Sequence, residues 1–122
     1  MTLLDALSFE LLDLGTDRPR ARFTIDDRHR QPVGVVHGGV YAALAETVAS
    51  MATAEAVGRD MAVFGMSNMT NFLRTLTDGT VEAEGTALHG GRTTWVWDIR
   101  FADEQGRAVA VSRVTVAVRP PR

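Results

Sequence analysis

Apolar and polar residues alternate along several short stretches of this chain and give way to helical spacing only once. Ala21, Phe23 and Ile25 alternate with Arg20, Arg22 and Thr24; Val81, Ala83, Gly85 and Ala87 alternate with Glu82, Glu84, Thr86 and Leu88. A period of two marks a strand with one face on a core and the other in water. The spacing predicts strands over Ser8 to Leu14, Arg20 to Ile25, Met61 to Leu76, Thr80 to His89, Thr93 to Phe101 and Ala108 to Val118. Turn residues separate them: Gly15-Thr16-Asp17, Pro32 to Gly34, Gly58-Arg59-Asp60, Asp78-Gly79, Gly90-Gly91 and Asp103 to Gly106. Asp78-Gly79 and Asp103 to Gly106 have hairpin chemistry, so the strands after residue 60 should form an antiparallel sheet.

The one helix should run from about Gly39 to Val57. It contains seven alanines and stops at Gly58, a good C-cap residue. Between Val40 and Ala56 only Glu46 and Glu55 carry charge. A surface helix would show a broad polar face, so this one is expected to be buried on most sides. An α+β arrangement satisfies that: an antiparallel sheet of five or six strands wrapped around one central helix. Such a sheet leaves an uncovered edge and face, and pairing with a second copy is the natural way to cover them.

Composition narrows the function. The chain has 122 residues, enough for one domain spanning 1–122 and too few for two. Hydrophobic residues make up 45% and charged residues 23%, which argues against disorder. A net charge of -2 gives no reason to expect nucleic acid as a partner. There are no cysteines, which removes disulfides, thiolate nucleophiles and cysteine metal sites. Met1 to Leu14 carries Asp5 and Glu10 and no basic start, unlike a signal peptide. Val40 to Ala54 is the longest apolar stretch, shorter than the roughly 20 residues of a membrane span. A cytoplasmic protein with no membrane partner is the default expectation.

The chemistry-bearing segment runs from Gln31 to Glu46. His37-Gly38-Gly39 falls where a loop enters the helix. The first amides of a helix lack internal partners and carry the positive end of its dipole. Glycines there allow close approach of a ligand, as an oxyanion hole requires. Glu46 lies two turns after Gly39 on the same face, and Ser50 one turn further. Bland readings exist for each part. The Gly-Gly pair can be a tight turn, His37 a structural hydrogen-bonding residue, and Ser50 a helix filler. Glu46 differs, because a carboxylate within an apolar helix is costly unless paired or used; a structural ion pair is its main rival role. His29, His37 and His89 show no metal-ligand spacing with carboxylates, so no metal is expected.

The pattern Gly-x-x-His-Gly-Gly-x-x-x-x-Leu-x-Glu, Gly34 to Glu46 with Gln31 upstream, resembles the hotdog-fold acyl-CoA thioesterases. It is similar to the branch holding the phenylacetate-pathway (PaaI-like) enzymes, the Arthrobacter-type 4-hydroxybenzoyl-CoA thioesterase and the menaquinone-pathway 1,4-dihydroxy-2-naphthoyl-CoA thioesterases. Asn68 to Arg74, Leu88 to Arg92 and Asp103 to Arg107 resemble later family segments, so the likeness covers nearly the whole chain. The resemblance implies hydrolysis of an acyl- or aryl-CoA thioester, with CoA as part of the substrate and no cofactor. It implies Glu46 as nucleophile or general base and the Gly38 amide as donor to the thioester oxygen. Gln31 and His37 would orient or polarise the thioester, and Ser50 would position water. Arg74, His89, Gly90, Gly91, Arg92 and Thr93 would contact CoA, from the neighbouring subunit of a dimer or dimer of dimers. Relatives carry Pro where this chain has Thr75. Two other activities fit the same fold: a non-catalytic acyl-CoA-binding domain, which would lose the carboxylate, and a hydratase or dehydratase pairing a His with an acid. Tyr41, Met51, Met61, Phe64, Met66, Phe72, Trp95 and Trp97 are available to line an acyl pocket, though packing is the commoner use of each.

Overall fold

The computed structural model describes residues 1–121. Its elements are helix α1 (Leu3–Ala6), strands β1 (Glu10–Leu12) and β2 (Arg20–Thr24), a 3-10 turn (Asp27–His29), helix α2 (Gly38–Val57), and strands β3 (Ala62–Phe72), β4 (Thr80–Gly90), β5 (Thr94–Ala102) and β6 (Ala108–Arg119). The six strands form one antiparallel sheet in the order β1-β2-β4-β5-β6-β3. Gly58 ends α2 with φ 91°, and Gly79 and Gly106 close the turns before β4 and β6 with φ 95° and 79°. These are backbone conformations that side chains with a Cβ resist.

The alternation read from the sequence sets the sheet's two faces. Ala21 and Phe23 pair across β2 and β4 with Ala83 and Val81, and all four are buried. On the other face Arg20 opposes Glu84 and Arg22 opposes Glu82, pairs of opposite charge that stabilise neighbouring strands modestly. Alternation lapses where the ladder does. A register shift between Ala87 and His89 leaves Ala87 exposed, although the period of two predicts it buried.

Helix α2 packs across one face of the sheet. It buries Val40, Tyr41, Leu44, Ala45, Val48, Ala49, Ala52 and Thr53 against β-strand residues such as Ile99, Val114 and Val116. The expected burial on most sides is not found. Ala43, Thr47, Ser50 and Ala54 are half-buried, and Glu46 and Met51 are exposed. The outward face is built from alanine, threonine and serine, which read as nearly apolar without needing burial, and one curved sheet covers only one side of a helix. Two further departures are small: α1 has no counterpart in the sequence reading, and β1 is three residues long.

The sheet's two edges differ. β1 is short, whereas β3 is an 11-residue edge strand. It exposes Phe64, Met66, Met69 and Phe72, with Leu73 just beyond, each at 57% or more. A long apolar edge with free backbone groups is a template for pairing. Among the described residues no helix is long and apolar enough to cross a membrane.

Candidate active site

The loop before α2 is held by backbone bonds that fix where the helix begins. Gln31 N–H donates to Val35 O (2.8 Å), Gly34 N–H to Gln31 O (2.9 Å), Val36 N–H to Leu76 O (2.9 Å) and His37 N–H to His29 O (2.8 Å). His29 anchors the segment. It is fully buried, its Nδ1 accepts from Asp26 N–H (3.0 Å), and its Nε2 lies 2.7 Å from Leu7 O. His37 is the N-cap residue: its Nδ1 accepts from Gly39 N–H (2.8 Å) and its carbonyl from Val40 N–H (3.0 Å). The Gly38 amide is thereby the free donor of the first turn; among the described residues it has no protein partner. Gln31 lies in the same loop, half-buried, with its Oε1 accepting from Val33 N–H, which leaves its side-chain amide hydrogens available.

A cavity of about 320 Å³ adjoins this first turn, lined by Val36, Gly38, Tyr41, Phe72, Leu73, Arg74 and Thr75. The Phe72 ring lies directly over Gly38, where a Cβ would come within 2.6 Å of its outer edge, so a larger residue would push the ring aside. Tyr41 is 3% exposed among Phe23, Phe72 and Phe101, with ring centroids 5.3 to 6.2 Å away. Its hydroxyl is buried without a protein hydrogen-bond partner, and burial pushes its pKa up to about 12. Leaving such a group unpaired costs roughly 1–3 kcal/mol.

Glu46 lies two turns along α2 in a cleft of about 430 Å³ with Leu3, Ala42, Ala43, Thr47 and Asn68. None of the seven arginine–carboxylate pairs among the described residues includes it, so the structural ion pair that rivals catalysis has no support. Its side chain rests over edge strand β3: a Cβ on Gly65 would meet Glu46 Cγ and Cδ at 3.0 Å. Asn68 Nδ2 donates to Ala42 O (2.9 Å), and its Oδ1 accepts from the Thr70 hydroxyl (2.8 Å), which pairs with Ser112. Ser50, one turn beyond Glu46, is half-buried, and among the described residues its hydroxyl makes no hydrogen bond. Gly65 and Asn68 were not singled out as site residues in the sequence reading; a glycine inside an apolar strand is the signal for the first.

Gly65 therefore sets how close the carboxylate comes to the edge strand. If Glu46 carries the chemistry that the resemblance implies, Gly65→Ala is expected to lower kcat on the order of tenfold, since displacing a catalytic group by a fraction of an ångström is costly. KM and melting temperature should change little, and steady-state kinetics with thermal denaturation on one preparation checks this.

The residues that the family resemblance assigns to CoA do not meet within one chain. Arg74 borders the Gly38 cavity, at the end of the sheet where Phe72 pairs with Ala110 and Ala110 with Phe101. Arg92 and Thr93 line a depression with Met61, Val118, Arg119 and Pro120 at the opposite end. His89, Gly90 and Gly91 belong to the same β4–β5 hairpin, with His89 Nε2 2.9 Å from where a Gly91 Cβ would lie. Glu46 is on that second side, because Gly65 pairs with Val116 and Val116 with Trp95. Trp97 is core, donating from Nε1 to Thr53 (2.9 Å), and Trp95 stacks on it at 5.9 Å. Phe64, Met51 and Met66 are exposed.

A six-stranded antiparallel sheet on one long helix, with His-Gly-Gly at the helix start and an unpaired acid on its open face, defines a class. Residues 33–110 match the thioesterase superfamily model, and the chain belongs to that superfamily, a hotdog-fold acyl-CoA thioesterase. It is 33% identical over 122 residues to a 1,4-dihydroxy-2-naphthoyl-CoA hydrolase of Listeria monocytogenes, covering 100% of this chain and 99% of that one. It is 38% identical over 117 residues to the proofreading thioesterase EntH of Cronobacter turicensis, covering 96% and 85%. The crystal structure of a thioesterase from Haemophilus influenzae superimposes with a TM-score of 0.93 at 35% identity, covering 98% of this chain and 83% of that one.

Proposed function

We propose that the enzyme hydrolyses an acyl- or aryl-CoA thioester at a site assembled between two copies of the chain, with Glu46 of one copy facing the Gly38 amide of the other. The observation that carries this reading is the position of Glu46: an unpaired carboxylate held over the apolar edge strand β3. Gly38 and Glu46 are eight residues apart on one helix, roughly 12 Å along its axis. One thioester group cannot touch both in a single chain. β3 runs past the two positions, with Gly65 against Glu46 and Phe72 against Gly38. Antiparallel pairing of β3 with its copy, about a two-fold axis near Asn68 and Met69, exchanges those two ends. It brings Glu46 and the His89–Thr93 hairpin of one copy toward Gly38, Gln31 and Arg74 of the other. The same pairing covers Phe64, Met66 and Met69.

The chemistry then needs only groups of the chain and water. The thioester oxygen accepts from Gly38 N–H and from the Gln31 amide, both aimed at the charge that grows there as the carbonyl carbon becomes tetrahedral. Two routes lead on. The Glu46 carboxylate attacks the carbonyl carbon, the carbon–sulfur bond breaks to release CoA thiolate, and water hydrolyses the resulting anhydride. Alternatively, Glu46 takes a proton from a water held by Ser50, that water attacks the carbonyl carbon, and the tetrahedral intermediate collapses with cleavage of the carbon–sulfur bond, releasing the acid and CoA thiolate, which can take the proton back from Glu46. Arg74 and Arg92 suit the phosphates of CoA through their fork geometry.

The test is release of free CoA thiol from a panel of aryl-, short- and long-chain acyl-CoAs, with enoyl absorbance followed in parallel. Thiol release without an enoyl change supports hydrolysis; binding without turnover, or an enoyl change alone, removes it. On the best substrate, Arg92→Ala should raise KM more than it lowers kcat. An unchanged KM would take Arg92 out of the CoA site.

A further inference from the structure

We propose that Asn68 is a positioning residue for catalysis: its side-chain amide ties edge strand β3 to the turn of α2 that ends in Glu46, and so sets where the carboxylate stands. The inference deepens the thioesterase reading and rests on it. Three observations meet at this place. Asn68 borders the same cleft as Glu46, with Ala42, Ala43 and Thr47. Its Nδ2 donates to Ala42 O at 2.9 Å, the one hydrogen bond between α2 and β3 among the described residues. β3 shifts register between Gly65 and Ser67, beside the glycine over which the Glu46 side chain rests. At such a shift the ladder to β6 is locally disrupted. β3 is also the last strand of the sheet, so within one chain no further strand holds it from the other side. The distance between Gly65 and α2 therefore needs a tie of its own, and Asn68 supplies it three residues on. The carbonyl that Asn68 grips is the one that receives the Glu46 N–H in α-helical bonding, so the tie acts on the turn that carries the carboxylate.

The amide is itself aimed. Asn68 Oδ1 accepts from the Thr70 hydroxyl at 2.8 Å. Thr70 has a single hydroxyl hydrogen to give, so in its 2.7 Å contact with Ser112 the Ser112 hydroxyl is the donor. Ser112 is 1% exposed, which fixes the far end of the chain inside the core. Donors therefore run from Ser112 to Thr70 to Asn68 to Ala42, and they turn the Asn68 amide hydrogens toward α2. Packing alone does not call for this network. A leucine at position 68 would fill a similar space against Ala42 and Ala43 with no polar atom to satisfy. A fully paired polar network instead specifies one arrangement of the groups it joins. Catalytic groups work only when held within about 0.5 Å of their place. A directional bond enforces that tolerance, whereas apolar burial is non-directional.

The experiment measures Asn68→Leu in two backgrounds, wild type and Glu46→Gln, on the best thioester of the acyl-CoA panel. In the wild-type background kcat should fall about tenfold while KM stays within about twofold. In the Glu46→Gln background, where the remaining turnover does not use the carboxylate, the same substitution should cost no more than about twofold, because residues that act as a unit are not additive. Equal losses in both backgrounds would make Asn68 a general structural contact and overturn the proposal, as would an unchanged kcat or a loss carried by KM. A crystal structure of Asn68→Leu reads the position without turnover. The Glu46 carboxyl group should lie more than roughly 0.5 Å from its place over Gly65; a carboxyl group that has not moved overturns the proposal. Should Asn68→Leu fail to fold, Thr70→Val and Thr70→Ser decide. Thr70→Val, which releases the Asn68 amide, should lower kcat only where Glu46 is intact, and Thr70→Ser, which keeps the hydroxyl, should restore it. A Thr70→Val protein with wild-type kcat overturns the proposal. Full activity in Glu46→Gln removes the reading of Glu46 and this proposal with it. A disabled Glu46→Gln beside an unaffected Asn68→Leu removes this proposal alone.

Discussion

Glu46→Gln is expected to leave a folded protein with thioesterase activity reduced by at least ~10²-fold, the scale expected when a positioned base or nucleophile is lost. Stability should hardly move. Glu46 is exposed in the single chain and no ion pair among the described residues uses it, so glutamine strands no cation and opens no cavity. Surface substitutions of this kind stay within about 0.5 kcal/mol. Glu46→Asp should recover part of the activity, since a carboxylate remains one methylene short of its place over Gly65. Melting temperature and thiol release measured on one Glu46→Gln preparation decide the matter: a folded variant with full activity ends the assignment. If activity is lost as expected, single-turnover hydrolysis by wild type in oxygen-labelled water tests the covalent route: label in the Glu46 carboxylate establishes direct attack with water opening the anhydride at the Glu46 carbonyl, whereas general-base catalysis, or opening at the acyl carbonyl, puts the label only in the product acid.

The parts of this fold that depend on neighbours in sequence were legible there. The end of α2 at Gly58, the turns at Gly79 and Gly106 and the alternation across β2 and early β4 follow from local backbone preference and burial period. The His37-Gly38-Gly39 start of α2 was legible for the same reason, since capping involves residues two or three apart. What escaped depends on distant pairing. The register shifts at Gly65/Ser67 and Ala87/His89 arise between strands and carry no local signature beyond a glycine. The contact of Gly65 with Glu46 joins positions on different elements. The open face of α2 is not legible in the sequence, because alanine, serine and threonine are equally at home inside and outside. The placing of Arg74 and Arg92 at opposite ends of the sheet needed the strand order, which spacing alone does not give.

That separation leads to the second large expected effect. Glu46→Gln and Gln31→Ala should each be nearly inactive alone, the latter by roughly 10²–10³ if its amide is an oxyanion donor. Co-expressed with different tags and purified through both, the mixed dimer should regain about half the wild-type rate. In a two-fold dimer one site combines both substitutions and the other combines intact Glu46 with intact Gln31. The parents cannot produce this gain by averaging. If each site lay within one chain, every site in the mixed dimer would carry one lesion, and its rate would be the mean of two weak enzymes. Pairing along β3 is the geometric premise of the proposed shared site, and sedimentation supplies its independent check: if the apolar edge formed by Phe64, Met66 and Met69 pairs with its copy, the protein sediments as an assembly of at least two chains. A stable, active monomer would remove the shared site, and a mixed dimer no better than its parents would place Gln31 and Glu46 in the same subunit's site.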